Sequence, residues 1–198
     1  MARIKRIGFL GGTFDPIHHG HLQLALSAQE QFSFDKVLLC PAYVSPFKTS
    51  KMPHVTPFHR LAMLKIALEE LPGFFVCEEE IHHHTPSFTI DTLRRLQQQS
   101  PEAELSIILG EDQLGDFSRW KDFQNIITMF APKVGSRLGA IAPKKSLGLE
   151  DKDFFCMPNL EISSTFLRER LYKRLYCKHL MPPKVVDYIL EHKLYLTR

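Results

Sequence analysis

No stretch of this 198-residue chain approaches the roughly 20 consecutive apolar residues that a membrane-spanning helix needs. No membrane association is therefore expected. The cysteines, Cys40, Cys77, Cys156 and Cys177, are scattered and lack any C-x-x-C pair, which suggests neither a disulfide framework nor a zinc site. A reduced, cytoplasmic setting is the simplest expectation. An excess of one charge is missing too: 25 Lys and Arg against 22 Asp and Glu leave a formal +3, too little to imply nucleic acid. A small anionic ligand would suit that surplus equally well. There is no internal repeat, low-complexity tract or linker. The basic start from Met1 to Arg6 is followed only by the short apolar run Ile7 to Leu10, so no secretory signal is expected.

What the chain does have is ordinary globular chemistry, 44% apolar and 24% charged, in a length that can bury one substantial core. One domain over residues 1–198 is expected, with a helical C-terminal part from about 160 onward.

Apolar runs at Ile7–Leu10, Lys36–Cys40, Phe74–Cys77 and Leu105–Leu109 have the length and composition of buried strands. Between and after them, Leu22–Gln31, Pro57–Leu71 and Thr89–Gln98 carry apolar residues at helical spacing. A fifth strand is expected at Gly139–Ala142, and further helices at Thr165–Leu175, with Leu167, Leu171 and Leu175 in a stripe, and at Pro183–Glu191. Alternating strands and helices imply an α/β fold: a Rossmann-like, doubly wound open parallel sheet with helices on both faces. Ligands of such sheets bind beyond the carboxyl ends of the strands, where Gly11-Gly12, Pro41–Lys48 and Gly110–Asp112 would lie.

Gly11 and Gly12 follow the first strand and let the backbone amides approach a ligand with no Cβ in the way. The next helix starts near Gly20, so its dipole favours an anion at the same place. His18 and His21, three apart at that helix start, would share a face near the anion and could stabilise charge on a leaving pyrophosphate. Such a pair taken alone is equally an ordinary surface or core pair, or half of a zinc site with no obvious third ligand. A second anion site is suggested where Ser163 or Ser164 caps a helix and Arg168 follows one turn later, although a bare helix cap has the same pattern.

The segment Gly11-Gly12-Thr13-Phe14-Asp15-Pro16-Ile17-His18-His19-Gly20-His21 resembles the H-x-G-H signature of nucleotidylyltransferases, in the longer form found in the bacterial nicotinate-nucleotide adenylyltransferase family. Ile162-Ser163-Ser164-Thr165 with Arg168 resembles that family's I-S-S-T-x-x-R motif. The resemblance implies transfer of AMP from ATP to nicotinate mononucleotide, giving deamido-NAD and pyrophosphate in NAD biosynthesis. It implies that Gly11, Gly12, Thr13 and Phe14 offer backbone contacts to ATP and that His18 and His21 meet its phosphates. Ser163, Ser164, Thr165 and Arg168 would hold the β- and γ-phosphates, with Ile162 also in the ATP site and His18, His21 and Arg168 as the catalytic groups. Mg²⁺ would arrive with ATP, because no dedicated carboxylate cluster is visible.

On the acceptor side, Ser87–Leu93 is similar to the family's S-Y-T-x-D-T-L segment, with Phe88 in place of tyrosine. The likeness implies that Phe88, Thr89, Thr13 and the single Trp120 bind nicotinate mononucleotide, that Gly110 and Asp112 face the adenosine, and that Lys48 supplies a cation. The stretch 130–146 departs from the family pattern, and His82-His83-His84 is expected to be a solvated loop. Pantetheine-phosphate adenylyltransferase, a nicotinamide-preferring relative and a non-catalytic ATP-binding module are the alternatives. Partners other than small-molecule substrates are not implied, and assembly into a homo-oligomer stays open.

Overall fold

The computed structural model describes residues 5–46, 52–83, 86–136 and 147–197. Strand β1 (Arg6–Gly12) leads through helix α1 (His19–Phe32) to β2 (Lys36–Pro41), and α2 (Pro57–Leu68) then leads to β3 (Phe74–Val76). Short α3 (Glu79–His83) and α4 (Thr89–Gln99) precede β4 (Glu104–Gly110). After α5 (Leu114–Phe117) and α6 (Phe123–Phe130) come β5 (Lys133–Ser136) and β6 (Phe154–Cys156), and α7 (Ser164–Tyr172) and α8 (Pro183–Glu191) end the order.

The sheet runs β3-β2-β1-β4-β5-β6, and every pairing is parallel. This is the doubly wound order, in which the chain grows outward from β1 in one direction and then in the other. The crevice of such a sheet opens beside β1 and β4, and both strands end there in glycine.

Side-chain alternation explains why the strands read as unbroken apolar runs. Ile7 and Phe9 of β1, Leu38 and Cys40 of β2, and Leu105, Ile107 and Leu109 of β4 enter one core with Ile90 and Leu93 of α4 and Ile126 of α6. Leu10, Val37, Leu39 and Ile108 point the other way, into a core shared with α1, α2, α7 and α8. Both faces of the sheet are therefore covered. Close approach fixes Gly8, where a Cβ would lie 2.8 Å from Ile108 Cδ1 and 2.9 Å from the Phe34 ring.

The first four strands and the five expected helices are present. The fifth-strand expectation, Gly139–Ala142, lies outside the described residues, and among the described residues the strands beyond β4 are Lys133–Ser136 and Phe154–Cys156. The α7 helix stops at Tyr172, so Leu175 is 47% exposed and does not continue the buried stripe of Leu167 and Leu171. His82 and His83 sit on helix α3 rather than in a loop, facing Glu78 and Glu79 one turn back at 3.3 and 3.5 Å, and His84 is outside the described residues. Among the described residues no helix is long and apolar enough to cross a membrane.

Candidate functional site

At the carboxyl edge of the sheet lies an open cleft of about 1380 Å³. Every candidate named from the sequence lines it except Lys48, which lies outside the described residues. Pockets for one small ligand commonly occupy about 300–1,000 Å³, so this cleft has room for a nucleotide and a second substrate side by side.

One wall is the turn from β1 to α1. Gly12 is required there by its own neighbour, since a Cβ would stand 2.9 Å from the Phe14 ring. Phe14 itself is in the left-handed region at φ 50° and fully buried, with its ring edge-on to His21 at 5.1 Å. The phenylalanine is thus the floor of the turn as well as part of its backbone. His18 is the N-cap of α1, and the rings of His18 and His21 stack at 3.7 Å, as the i, i+3 spacing predicts. Gly20 makes room for that stack, because a Cβ would meet His18 Nδ1 at 3.0 Å. The peptide bond between Asp15 and Pro16 is cis.

The second motif closes on the first. Ser163 caps α7, its hydroxyl accepting from the Phe166 N–H at 3.2 Å. Ser164 instead donates its hydroxyl to Pro16 O at 3.0 Å, and Arg168 donates to Asp15 O at 2.7 Å and to Thr165 Oγ1 at 3.0 Å. These bonds span 148 and 153 residues of sequence. Arg168 therefore braces the glycine turn from behind, while its planar fork carries further donors at the cleft. Ile162 is buried in the core, so its part in the cleft wall is mainly steric.

Beneath the turn is a polar network that the sequence did not announce. The Asp15 side chain is buried; its Oδ1 accepts from Tyr195 Oη at 2.6 Å and its Oδ2 from the His54 N–H at 2.8 Å. Burial and the Asp15 carboxylate push the Tyr195 hydroxyl well above its usual range, so it stays a donor. His54 Nδ1 also lies 3.3 Å from Asp15 Oδ2, and its ring reaches the cleft. Arg60 is completely buried and donates to Thr13 O at 2.8 Å and Tyr43 O at 3.0 Å. Desolvation pulls its pKa down, and the nearby Asp15 carboxylate opposes that shift. A cation placed on the apolar stripe of α2, one turn from Met63 and Leu64, was the available signal for it.

The opposite wall comes from α4 and the segment after β4. Phe88 is the N-cap of α4 and Thr89 its first residue, both half-buried at the cleft. Ser87 Oγ accepts from the Tyr43 N–H at 3.0 Å and so ties this helix entry to the β2 loop. Trp120 packs edge-on against Phe117 at 5.3 Å, and Lys121, paired with Asp91 at 2.8 Å, lies 4.9 Å over the Phe88 ring. Gly110 N–H donates to Gln113 Oε1 at 3.1 Å, and a Cβ on Gly110 would collide with the Asp112 carboxylate. The neighbouring Glu111 is held by the Ser136 hydroxyl at 2.6 Å.

The cytidylyltransferase-like family model matches residues 9–170 of this chain. A relative from Synechococcus sp. (strain JA-3-3Ab) with the name "Probable nicotinate-nucleotide adenylyltransferase" is 37% identical over 201 residues, covering 97% of this chain and 95% of the relative. One of the same name from Roseiflexus sp. (strain RS-1) is 40% identical over 196 residues, covering 96% and 97%. The chain belongs to the nicotinate-nucleotide adenylyltransferase family.

The fold of this family is also the fold of solved structures of greater sequence distance. The nicotinic acid mononucleotide adenylyltransferase of Plasmodium falciparum superposes with TM-scores of 0.77 in a complex with APC and 0.75 in a complex with NaAD. Identity is 22% and 21%, and coverage is 98% of both chains in each case. For this family member, the two motifs legible in the sequence meet at the edge of β1 and β4. His54, Arg60, Lys121 and Tyr195 join them only through tertiary contacts, His54 and Tyr195 by way of the Asp15 carboxylate inside the first motif.

Proposed function

We propose that this chain transfers AMP from ATP to nicotinate mononucleotide, giving deamido-NAD and pyrophosphate. The observation that carries the reading is the single cleft in which the glycine turn with His18 and His21, the Ser163–Arg168 motif, and the Phe88, Thr89 and Trp120 wall all face one space. The family to which the chain belongs supports it. The whole chain then works as one nucleotidylyltransferase unit, its helices from about 160 onward completing the phosphate site.

In this reaction the acceptor's phosphate oxygen attacks the α-phosphorus of ATP, and the bond to the β-phosphate oxygen breaks as pyrophosphate leaves. That oxygen is anionic at neutral pH, so no side chain need serve as nucleophile. The work left to the protein is alignment and charge stabilisation. Gly11, Gly12, Thr13 and Phe14 present backbone to the ATP phosphates, and His18, His21 and Arg168 stabilise charge as it moves to the leaving group. Ser163, Ser164 and Thr165 complete that pocket, with Gly110 and Asp112 at the adenosine. Phe88 and Trp120 offer flat surfaces to the pyridine ring, and Thr89, Thr13 and Lys48 offer polar contacts.

Among the described residues no group of three or more His, Cys, Asp or Glu side chains could hold a metal ion. A Mg²⁺ ion carried on the oxygens of ATP and water would neutralise phosphate charge with no dedicated protein site. We place the enzyme in the cytoplasm, where Cys40, Cys77, Cys156 and Cys177, all unbridged, stay reduced.

Purified protein given ATP and magnesium should release pyrophosphate much faster with nicotinate mononucleotide than with nicotinamide mononucleotide or phosphopantetheine. Equal or reversed rates would overturn the substrate assignment, and no release with any of the three would favour an ATP-binding module.

A further inference from the structure

Two loops leave the adjacent strands β1 and β2 at the edge of the cleft. Among the described residues the last backbone bond between them is Ala42 N–H to Gly12 O at 2.9 Å. Beyond it no strand pairing among the described residues joins the ATP-phosphate turn, starting at Thr13, to the acceptor loop, starting at Tyr43. The next tie is the Arg60 guanidinium, with Nη1 on Thr13 O at 2.8 Å and Nη2 on Tyr43 O at 3.0 Å. The Tyr43 N–H in turn donates to Ser87 Oγ at 3.0 Å, and the Ser87 N–H to Val44 O at 2.9 Å. Ser87 is the residue before Phe88, the N-cap of α4. A continuous path therefore runs from the phosphate turn through one buried side chain to the wall that would receive the acceptor.

We propose that Arg60 is a positioning residue that sets the phosphate turn against the acceptor loop, so that the acceptor phosphate and the α-phosphorus of ATP meet in line. The proposal rests on the adenylyl-transfer reading given above. Three features make arginine the fitting residue. The guanidinium is rigid and planar, so its two Nη groups fix the separation of the two carbonyls, which the flexible single ammonium of lysine cannot do. The side chain is completely buried, so water does not compete for either bond. It also grows from α2, an element packed against β2 and β3, and so refers both loops to the sheet.

Alignment of two bound reactants appears in kcat, whereas a contact that only holds ATP appears in KM. In Arg60→Lys, kcat for pyrophosphate release should fall about 10- to 100-fold while the KM for ATP stays within about threefold. Amide hydrogen exchange of the same protein should quicken in residues 12–16 and 42–46 while β4 stays as protected as in the wild type. A kcat within about threefold of wild type, a change confined to KM, or exchange that quickens evenly through the sheet would each overturn the proposal.

Should Arg60→Lys fail to fold, Ser87→Ala removes the next bond on the path from a half-buried surface position. The Ser87 hydroxyl also reaches the Glu80 carboxylate, which Thr92 continues to hold in that variant. The expected result is again a fall in kcat with faster exchange at 42–46, and unchanged kcat in Ser87→Ala overturns the path. Where both variants fold, their losses should be less than additive, since they break one path. If wild-type protein does not turn over nicotinate mononucleotide, the functional reading fails by itself. The exchange comparison needs no substrate and still decides the link.

Discussion

His21 is held from two sides, stacked on His18 at 3.7 Å and met by the Phe14 ring edge at 5.1 Å, yet it remains on the wall of the cleft. A ring fixed in this way can present charge to a phosphate without first losing rotamer freedom. His21→Ala should lower kcat by about 10²-fold or more, as loss of a preorganised charge-stabilising group does, while the melting temperature moves little. Activity within about threefold of wild type would refute the phosphate role. The proposed roles of His18, His21 and Arg168 were legible because each sits at a fixed offset from a glycine turn or a hydroxyl cap. Their partners were not. Nothing in the order of residues says that Arg168 would brace Asp15 O at 2.7 Å, or that Tyr195 would be the donor to the Asp15 carboxylate.

Elements of seven residues with apolar composition, such as β1 and β4, announce themselves, whereas β6 has three residues and β5 four. Length alone does not hide a strand, since β3 is as short as β6 and its apolar run Phe74–Cys77 is legible; β5 is hidden by composition, with Val134 its one apolar side chain beside Lys133, Gly135 and Ser136. Helix α3 was hidden for a similar reason, being five residues long with a run of histidines at its end. It nonetheless buries Glu80 behind the acceptor wall, where the carboxylate accepts from Thr92 Oγ1 at 2.9 Å. Burial pushes the Glu80 pKa above the ordinary glutamate value of 4.5, against the hydrogen bonds from Ser87 and Thr92. The folded state thus keeps this proton longer than the unfolded chain. The contribution of Glu80 to stability is greatest below pH 4.5 and declines as pH rises through the elevated folded value. Glu80→Gln keeps an acceptor for Thr92 and has no charge to desolvate. Its stability relative to wild type in urea unfolding should therefore increase from pH 4.5 toward neutrality. A constant difference across that range would show that Glu80 is ionised without cost.

Across the whole molecule, the site is assembled from both ends of the chain. Tyr195 and Asp15 are 180 residues apart, and their bond at 2.6 Å secures the turn after β1 to the segment that follows α8. Tyr195→Phe leaves the ring in the core and removes only the donor. Loss of this bond to a buried carboxylate should cost about 1–3 kcal/mol in urea unfolding. The same variant should bind ATP more weakly in calorimetry, because the turn loses one of its anchors. Unchanged stability and unchanged ATP affinity together would mean that water replaces the hydroxyl. The α2–α8 contact and the ion pairs from Lys184 to Glu69 and Glu70 secure the same C-terminal region to α2.

The sequence by itself determined the alternation of strands and helices, the turn at Gly11-Gly12 and the hydroxyl-capped helix start with Arg168, because each follows from local periodicity, glycine geometry or helix capping. The order β3-β2-β1-β4-β5-β6 and the meeting of the two motifs were decided by tertiary structure, where both faces of one sheet had to be covered. Folding also brought Arg60 to the turn after β1. A guanidinium on the apolar stripe of α2 stands out in the pattern, but only burial beneath the two loops makes it the tie between Thr13 and Tyr43.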